Sequence, residues 1–236
     1  MTEPTAPPDE QALLTLEVDT VFGLVPGAPG RPPRVRAPGV RAVWAWSPGA
    51  WVWALGEGAY GAHATGPDLG APPFAPEEPP PGLADLAVPG TSVVGGPTWV
   101  FPDAGVTAPP VPERVLVSDE PGRQAAAALA RPDTWEPDEW AALVAGAAGE
   151  WAMAVREGRP VSICHTPAAS RGGVEAGTWT APEHRGRGLA RATAAAWSRR
   201  AAGRVRFYST MADNTASRAV ATGLGLRPLG WLWSVR

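Results

Sequence analysis

The second half of the chain alternates between the spacing of apolar residues typical of strands and that typical of helices. Short apolar runs predict strands at 114–118, 150–156, 160–166, 174–181, 204–210 and 229–235. Apolar stripes at helical spacing predict helices from Asp119 or Glu120 to Ala130, from a Thr134 cap over 136–148, and at 189–201 and 215–224. This β-α-α-β-β-β-α-β-α-β order predicts a mixed sheet with helices packed on it, of the α/β or α+β class.

The first half reads as short strands and loops, which predicts a strand-rich α/β domain. Strands are predicted at 40–46, 51–55 and 92–101, with a Pro-rich loop or crossover at 72–81. A four-residue loop, Ser-Pro-Gly-Ala, would pair Trp46 with Trp51 and Trp44 with Trp53 on one face. We favour this loop because an L-proline at position 48 does not suit the primed two-residue turns.

Composition divides the chain into two predicted domains, 1–112 and 113–236. Of the 236 residues, 29 are Pro, 28 Gly and 12 Trp, and 22 of the prolines precede residue 113. Formal charge changes from −7 over 1–112 to +4 over 113–236, and Ala-Pro-Pro-Val-Pro at 108–112 reads as a stiff linker. Core packing is the favoured role of the tryptophans, with an aromatic ligand pocket as the alternative.

Several classes of protein and site are excluded by the remaining composition. One cysteine, Cys164, rules out a disulfide framework within the chain and a Cys-rich zinc site, and three scattered histidines predict no metal site. We find neither a secretory signal nor a membrane-spanning run, so we expect a cytoplasmic protein without a membrane partner. The positive charge concentrated after Glu183 favours a local anionic ligand over nucleic acid.

A glycine-rich turn joins a predicted strand to a predicted helix within 178–190. Gly186 and Gly188 let the backbone approach a ligand closely, and the first amides of the following helix have no internal acceptor. A pyrophosphate suits such a helix start, and Arg185 and Arg187 add charge. An ordinary turn with surface arginines is the alternative on glycine spacing alone.

This segment resembles the GNAT superfamily of acyl-CoA-dependent N-acyltransferases, and it is similar to a bacterial subgroup with an additional N-terminal domain. Arg-Gly-Arg-Gly-Leu-Ala at 185–190 matches the family's R/Q-x-x-G-x-G/A signature. Downstream, Asn214-Thr-Ala-Ser217 and Gly225-Leu226 reproduce the spacing of its last helix. The resemblance covers roughly 114–236 and implies a GNAT-like mixed sheet flanked by helices. Residues 1–112 are open to interpretation as a degenerate copy of that fold.

The resemblance also implies the residues that would bind acetyl-CoA. The last strand residues before the turn would contact pantetheine through their backbone, and the turn amides would hold the pyrophosphate. Asn214 would contact the cofactor arm, with Ser217 one turn later, although a plain helix cap is the alternative for Asn214. The cofactor-binding residues predicted in this way are Trp179, Thr180, Ala181, Arg185, Gly186, Arg187, Gly188, Leu189, Ala190, Asn214 and Ser217.

One departure from the family concerns the general acid, a Tyr that often lies seven residues after the Asn. Here that position is Ala221, so the acid would be Tyr208 or Ser209, or the thiolate leaves unaided. Glu175 is the candidate general base because it is the only carboxylate of its strand, and His165 is the other candidate. Cys164 is predicted to be a buried apolar residue.

The function predicted from these residues is transfer of an acetyl group from acetyl-CoA to a primary amine of a small molecule or peptide, without a metal. The acidic first half favours a cationic amine. The alternatives are an inactive acyl-CoA-binding or sensing protein and an interaction module formed by the Trp-rich half. Whether the protein forms a homodimer is left open.

Overall fold

The computed structural model describes residues 9–60 and 78–236. The chain divides into two compact units. The first unit comprises the chain up to Thr98, with Ser209–Asp213 and Pro228–Arg236, and the second comprises Trp99–Tyr208 and Asn214–Arg227. Most of the Pro-rich segment predicted at 72–81 lies outside the described residues. No helix in the described ranges is long and apolar enough to cross a membrane.

The first unit contains a mixed sheet with the strand order β1-β2-β4-β3-β11-β5. Its elements are α1 (Glu10–Phe22), β1 (Leu24–Val25), β2 (Arg34–Val35), β3 (Ala42–Ser47), β4 (Ala50–Gly56), α2 (Glu57–Tyr60), α3 (Pro81–Ala84), β5 (Val93–Val100) and β11 (Arg227–Val235). Two of the strands cross the division between the units, because β5 ends and β11 begins in the second.

Six tryptophans form two cross-strand rows on one face of this sheet. In the register of β3 with β4 and β11, Trp46 lies opposite Trp51 and Trp231, and Trp44 lies opposite Trp53 and Trp233. The predicted pairing of β3 with β4 is therefore confirmed. Core packing, which was favoured for the tryptophans of the first half, is confirmed for Trp44. It lies in a buried cluster with Trp231, Trp233, Leu83 and Leu86. Trp51 remains 44% exposed.

The predicted four-residue loop between these strands is wrong, because Ser47 pairs with Ala50 and leaves only Pro48 and Gly49 in the turn. A distant carboxylate holds this tight turn. Glu10 Oε2 accepts hydrogen bonds from Ser47 Oγ at 2.7 Å and from the Gly49 amide at 3.1 Å. This interaction joins residues almost 40 positions apart, so turn preferences alone did not reveal it.

Helix α1 corrects the prediction of only strands and loops in the first half. Asp9 caps the helix by accepting a hydrogen bond from the Gln11 amide, and Gly23 ends it in the left-handed region at φ +69°. Leu13, Leu14 and Val18 are buried along it. A cap residue followed by apolar spacing and a terminal glycine was the sequence signal for this helix.

The second unit confirms the predicted mixed sheet with helices. Its strand order is β10-β9-β8-β7-β6, antiparallel except for the parallel pair β9–β10. The elements are β6 (Arg114–Val117), α4 (Glu120–Ala126), α5 (Pro137–Ala145), β7 (Ala152–Arg156), β8 (Arg159–Ala169), β9 (Gly173–Thr180), α6 (Leu189–Arg200), β10 (Val205–Ser209) and α7 (Thr215–Gly223). Ser209, the last residue of β10, is grouped with the first unit.

Helices α4 and α5 differ most from their predicted boundaries, and α5 also ends at Ala145 rather than at 148. Helix α4 ends at Ala126 rather than at Ala130, whose amide instead bonds the Gly158 carbonyl at 3.1 Å. The N-cap of α5 is Glu136 rather than Thr134, because Pro137 takes the first helical position that its fixed φ favours.

The division into units does not coincide with the boundary predicted at residues 112 and 113. The second unit begins at Trp99, and the last strand returns to the first unit. The register of Trp231 with Trp46 explains that return, since it joins residues from opposite ends of the chain. The proline-rich linker signal could not reveal a pairing of this sequence separation.

Candidate active site

The parallel pair β9–β10 stops pairing partway along its length. Only Val205, Arg206 and Phe207 pair with Gly173, Val174 and Glu175. No further pair forms between the two strands in this fully described part of the chain, although β9 continues to Thr180 and β10 to Ser209. The opening leaves space and main-chain groups for a ligand between the two strands.

Tyr208 lies directly after the last pair, at the start of this opening. Its side chain is buried, with 1% exposed, and its hydroxyl lies 3.2 Å from Thr178 Oγ1 and hydrogen bonds with the Ser217 side chain. Burial raises the pKa of Tyr208 above 10, which keeps the phenol protonated at neutral pH. Sequence analysis missed Thr178, whose alternation with Thr180 along β9 was its only signal.

Helix α7 brings Asn214, Ser217 and Ala221 to the same side as Tyr208. Asn214 is the N-cap of this helix, and its Oδ1 accepts a hydrogen bond from the Ser217 amide at 3.0 Å. The capping role that was the alternative for Asn214 is thus present. Ala221 is fully buried in the same apolar cluster as Tyr208 and Trp197. In this cluster the tyrosine hydroxyl comes from Tyr208 on β10, whereas position 221, where the family often has a tyrosine, holds an alanine.

The predicted glycine-rich turn connects β9 to α6. Gly186 and Gly188 have φ of +74° and +80°, in the left-handed region that favours glycine. Gly188 is the N-cap of α6, and no described side chain caps the helix. The first amides of α6, beginning with Leu189 and Ala190, therefore suit an anionic ligand. Arg185 Nε donates to the Thr180 carbonyl at 3.2 Å, and Arg187 is exposed.

The other predicted cofactor residues at the end of β9 have two environments. Thr180 and Ala181 bond to β8, and Trp179 packs against the helices. Thr180 Oγ1 lies 2.8 Å from Ser162 Oγ, and the Ala181 amide bonds the Val161 carbonyl at 3.0 Å. The sheet thus already uses the Ala181 amide. Trp179 pairs with Ile163 and packs in the cluster formed with α4 and α5.

Glu175 and His165 occupy the face of the sheet that Trp179 shares. Glu175 is 6% exposed at the last paired position, and the β8–β9 register shifts between His165 and Ala168, the residue opposite Glu175. His165 lies over Gly177, where an added Cβ would be 3.0 Å from the imidazole Nε2. Burial lowers the pKa of His165 to about 4, so its imidazole is neutral at pH 7.

The predicted site residues therefore fall into three groups. The opening brings together Glu175, Tyr208 and Ser217, with Asn214 at the start of the helix that carries Ser217. The turn carries the residues from Arg185 to Ala190, and the end of β9 carries Trp179, Thr180 and Ala181. Ser209 belongs to the first unit and is not part of this group. Cys164 is fully buried, as expected, and burial raises the pKa of its thiol, which disfavours the reactive thiolate. The described residues include no group of three or more metal-ligating side chains.

Comparison with known proteins finds a family that this region resembles. Residues 147–229 match the family model described as GNAT acetyltransferase. Through this region, the chain is similar to the GNAT superfamily. The match includes β9, the glycine-rich turn, α6 and α7, and thus the whole opening. A comparison with curated proteins found no match.

Solved structures with similar folds include three GNAT-related proteins. A GCN5-related N-acetyltransferase from Kribbella flavida is 24% identical, with a TM-score of 0.46 over 67% of this chain and 65% of that chain. A GCN5-related N-acetyltransferase-like protein from Streptococcus suis is 17% identical, with a TM-score of 0.45 over 64% of each chain. A GNAT-family acetyltransferase from Colwellia psychrerythraea is 14% identical, with a TM-score of 0.46 over 66% and 62%. Each match spans less than two thirds of the solved chain.

Proposed function

We propose that the second unit transfers an acetyl group from acetyl-CoA to a primary amine of a small molecule or peptide. The observation that carries this proposal is the opening between β9 and β10, which lies beside a helix start without a side-chain cap. A thioester arm fits the opening, and a pyrophosphate fits the amides of α6. Gly186 and Gly188, both at positive φ, place no Cβ in the approach to those amides.

The chemistry requires a neutral amine, whose nitrogen attacks the thioester carbonyl carbon while the carbon–sulfur bond breaks. Glu175 is proposed to accept the proton that the amine loses, directly or through water. Tyr208 is proposed to donate its phenolic proton to the departing thiolate, for which its protonated state at neutral pH suits it. Proton exchange with solvent then returns both side chains to their initial states.

Glu175 and Tyr208 approach the reacting atoms from different sides of the sheet. Glu175 points to the face that carries Trp179, whereas Tyr208 contacts Thr178, whose side chain alternates to the other face. The proposal requires that the opening beyond the last pair connects the two faces. An amine reaching it from one face therefore meets a thioester held from the other.

An inactive acyl-CoA-binding protein is the second candidate, and Ala221 is the observation that favours it. It predicts saturable binding of acetyl-CoA without thiol release in the presence of any amine. We favour the enzyme because Tyr208 provides a buried, protonated hydroxyl at the opening.

Calorimetric titration with acetyl-CoA tests the cofactor site. Gly188→Trp would obstruct the amides of α6, and we expect it to abolish the saturable binding of the unaltered protein. Gly203→Trp is the matched control, because Gly203 also has a positive φ, +93°, with no atom within 4 Å of an added Cβ. Strain alone would weaken both variants equally. Normal binding by Gly188→Trp, or no binding by the unaltered protein, would overturn the proposal.

A further inference from the structure

A cavity of about 570 Å³ lies within the second unit, at the end of β9. Three segments line it, namely the α4–α5 connection, the β7–β8 turn, and the end of β9 with the residues that follow. Trp179 and Val161 provide apolar wall. Four arginines also line the cavity: Arg131, Arg156, Arg159 and Arg187.

Two of the four guanidinium groups are already engaged. Arg156 lies 3.9 Å from a carboxylate oxygen of Glu113 and 3.7 Å from one of Glu157. Arg131 donates a hydrogen bond to the Trp135 carbonyl. By contrast, neither Arg159 nor Arg187 forms an ion pair with any residue in 9–60 or 78–236. These two side chains are therefore available to an anionic group.

Three carboxylates share the cavity wall with the arginines. Glu157 lies in the β7–β8 turn and pairs with Arg156, while Asp133 and Glu183 form no ion pair within the described ranges. His184 also lines the cavity, and its Nδ1 is buried without a hydrogen-bond partner among the described residues. The wall thus holds two guanidinium groups and two carboxylates without ion pairs, together with one unsatisfied imidazole nitrogen.

The cavity lies on the side of β9 from which the amine is proposed to approach, and not on the side proposed for the thioester arm. Trp179 lies on the face of β9 that carries Glu175, four residues or about 13 Å further along the strand. Thr178 and Tyr208, which face the proposed thioester position, lie on the other side. An acceptor whose amine reaches Glu175 from this face can therefore extend its remainder toward the arginines.

We propose that the acceptor carries a carboxylate or phosphate group and that Arg159 binds this group in the cavity. The inference rests on the proposed function and specifies its substrate class. It differs from the cationic acceptor that the acidic first half favoured, because the guanidinium groups line the proposed binding cavity itself.

The test compares matched amines in a thiol-release assay with acetyl-CoA. Tetraglycine is compared with tetraglycine amide, and Gly-Gly-Gly-phosphoserine amide with the unphosphorylated peptide amide, so that each pair differs in the anionic group. An extended chain of four residues spans about 13 Å, the separation of Glu175 from the cavity. We expect at least one anionic member to have a kcat/KM about tenfold above that of its neutral partner, the effect of one charge-assisted hydrogen bond. Arg159→Gln should remove this preference through KM. Titration of the CoA-loaded protein with the same compounds measures binding without requiring turnover.

Arg171→Gln is the control, since Arg171 is exposed in the β8–β9 turn and does not line the cavity. It should retain the preference. Neither arginine variant should change acetyl-CoA affinity. Equal binding and turnover of both members of every pair, or a preference that survives in Arg159→Gln, would overturn the proposal. Weaker acetyl-CoA binding by Arg159→Gln would assign the cavity to a cofactor phosphate instead. Loss of acetyl-CoA binding by the unaltered protein would contradict the proposed function itself.

Discussion

The strand pairs β3–β4 and β9–β10 differ in how completely their backbones pair. The antiparallel pair β3–β4 is paired at six successive positions, and tryptophans cover one of its faces. The parallel pair β9–β10 has three paired positions and then opens beside Tyr208. Complete pairing uses the backbone groups and stabilises a core, whereas early separation leaves groups free to bind a ligand. The comparison contrasts a region packed for stability with the region proposed to carry the chemistry.

Truncation of a buried tryptophan breaks the packed pair and should give the largest effect. Trp44→Ala removes a side chain that is 2% exposed and stacks at 5.3 Å on Trp51, so we expect a loss of about 3–5 kcal/mol in the free energy of unfolding. Urea denaturation measures it. Trp51 lies at the exposed end of the other row, so Trp51→Ala should reduce the free energy of unfolding much less. Equal losses would show that burial does not decide how much each tryptophan contributes to stability.

The buried histidine near the opening should make stability depend on pH. Because the pKa of His165 is about 4 in the fold and 6.5 when unperturbed, the unfolded chain binds a proton that the native chain does not between those values. Stability is therefore retained above pH 6.5 and falls by about 3 kcal/mol as the pH drops through 4. His165→Gln should reduce this fall in urea titrations from pH 7 to 4, and His184→Gln should preserve it. Parallel curves for all three proteins would contradict the burial argument.

Removal of the phenol at the opening should affect catalysis rather than binding. Tyr208→Phe should lower kcat about 100-fold, because the thiolate loses its proton donor, and should leave the Kd for acetyl-CoA unchanged. Thiol release and calorimetry measure the two quantities. Thr178→Val keeps the phenol and removes one hydrogen-bond partner, so a smaller decrease is expected. An unchanged kcat in Tyr208→Phe would mean that the thiolate leaves unaided.

The smallest expected effect separates the two roles of Asn214. Asn214→Ala should lower stability by about 1 kcal/mol through loss of the α7 cap, and Asn214→Ser should retain most of that stability because Ser is also a good cap. If Asn214 also contacts the cofactor, both variants should bind acetyl-CoA several-fold more weakly. Normal affinity in Asn214→Ser would limit this residue to capping.

Local sequence signals were sufficient wherever neighbouring residues decide the structure. Strand alternation placed Trp44 opposite Trp53, and the glycine spacing placed a left-handed turn at Gly186 and Gly188 directly before α6. The signature at 185–190 predicted the resemblance to the superfamily whose family model matches 147–229 for the same reason, since these residues are contiguous. The Ser-Pro-Gly-Ala turn could not be predicted in this way, because Glu10 holds it from another element.

The sequence by itself determined the mixed sheet of the second half, the glycine-rich turn and the resemblance to the superfamily. These features depend on periodicity and on residues close together in the chain. Only the tertiary structure decided that β11 returns to β3, that β9 and β10 separate after Glu175, and that Tyr208 meets Thr178 and Ser217. Such contacts join residues 30 or more positions apart in several cases, and the free energy of burying and pairing them has no signature in any local window of sequence.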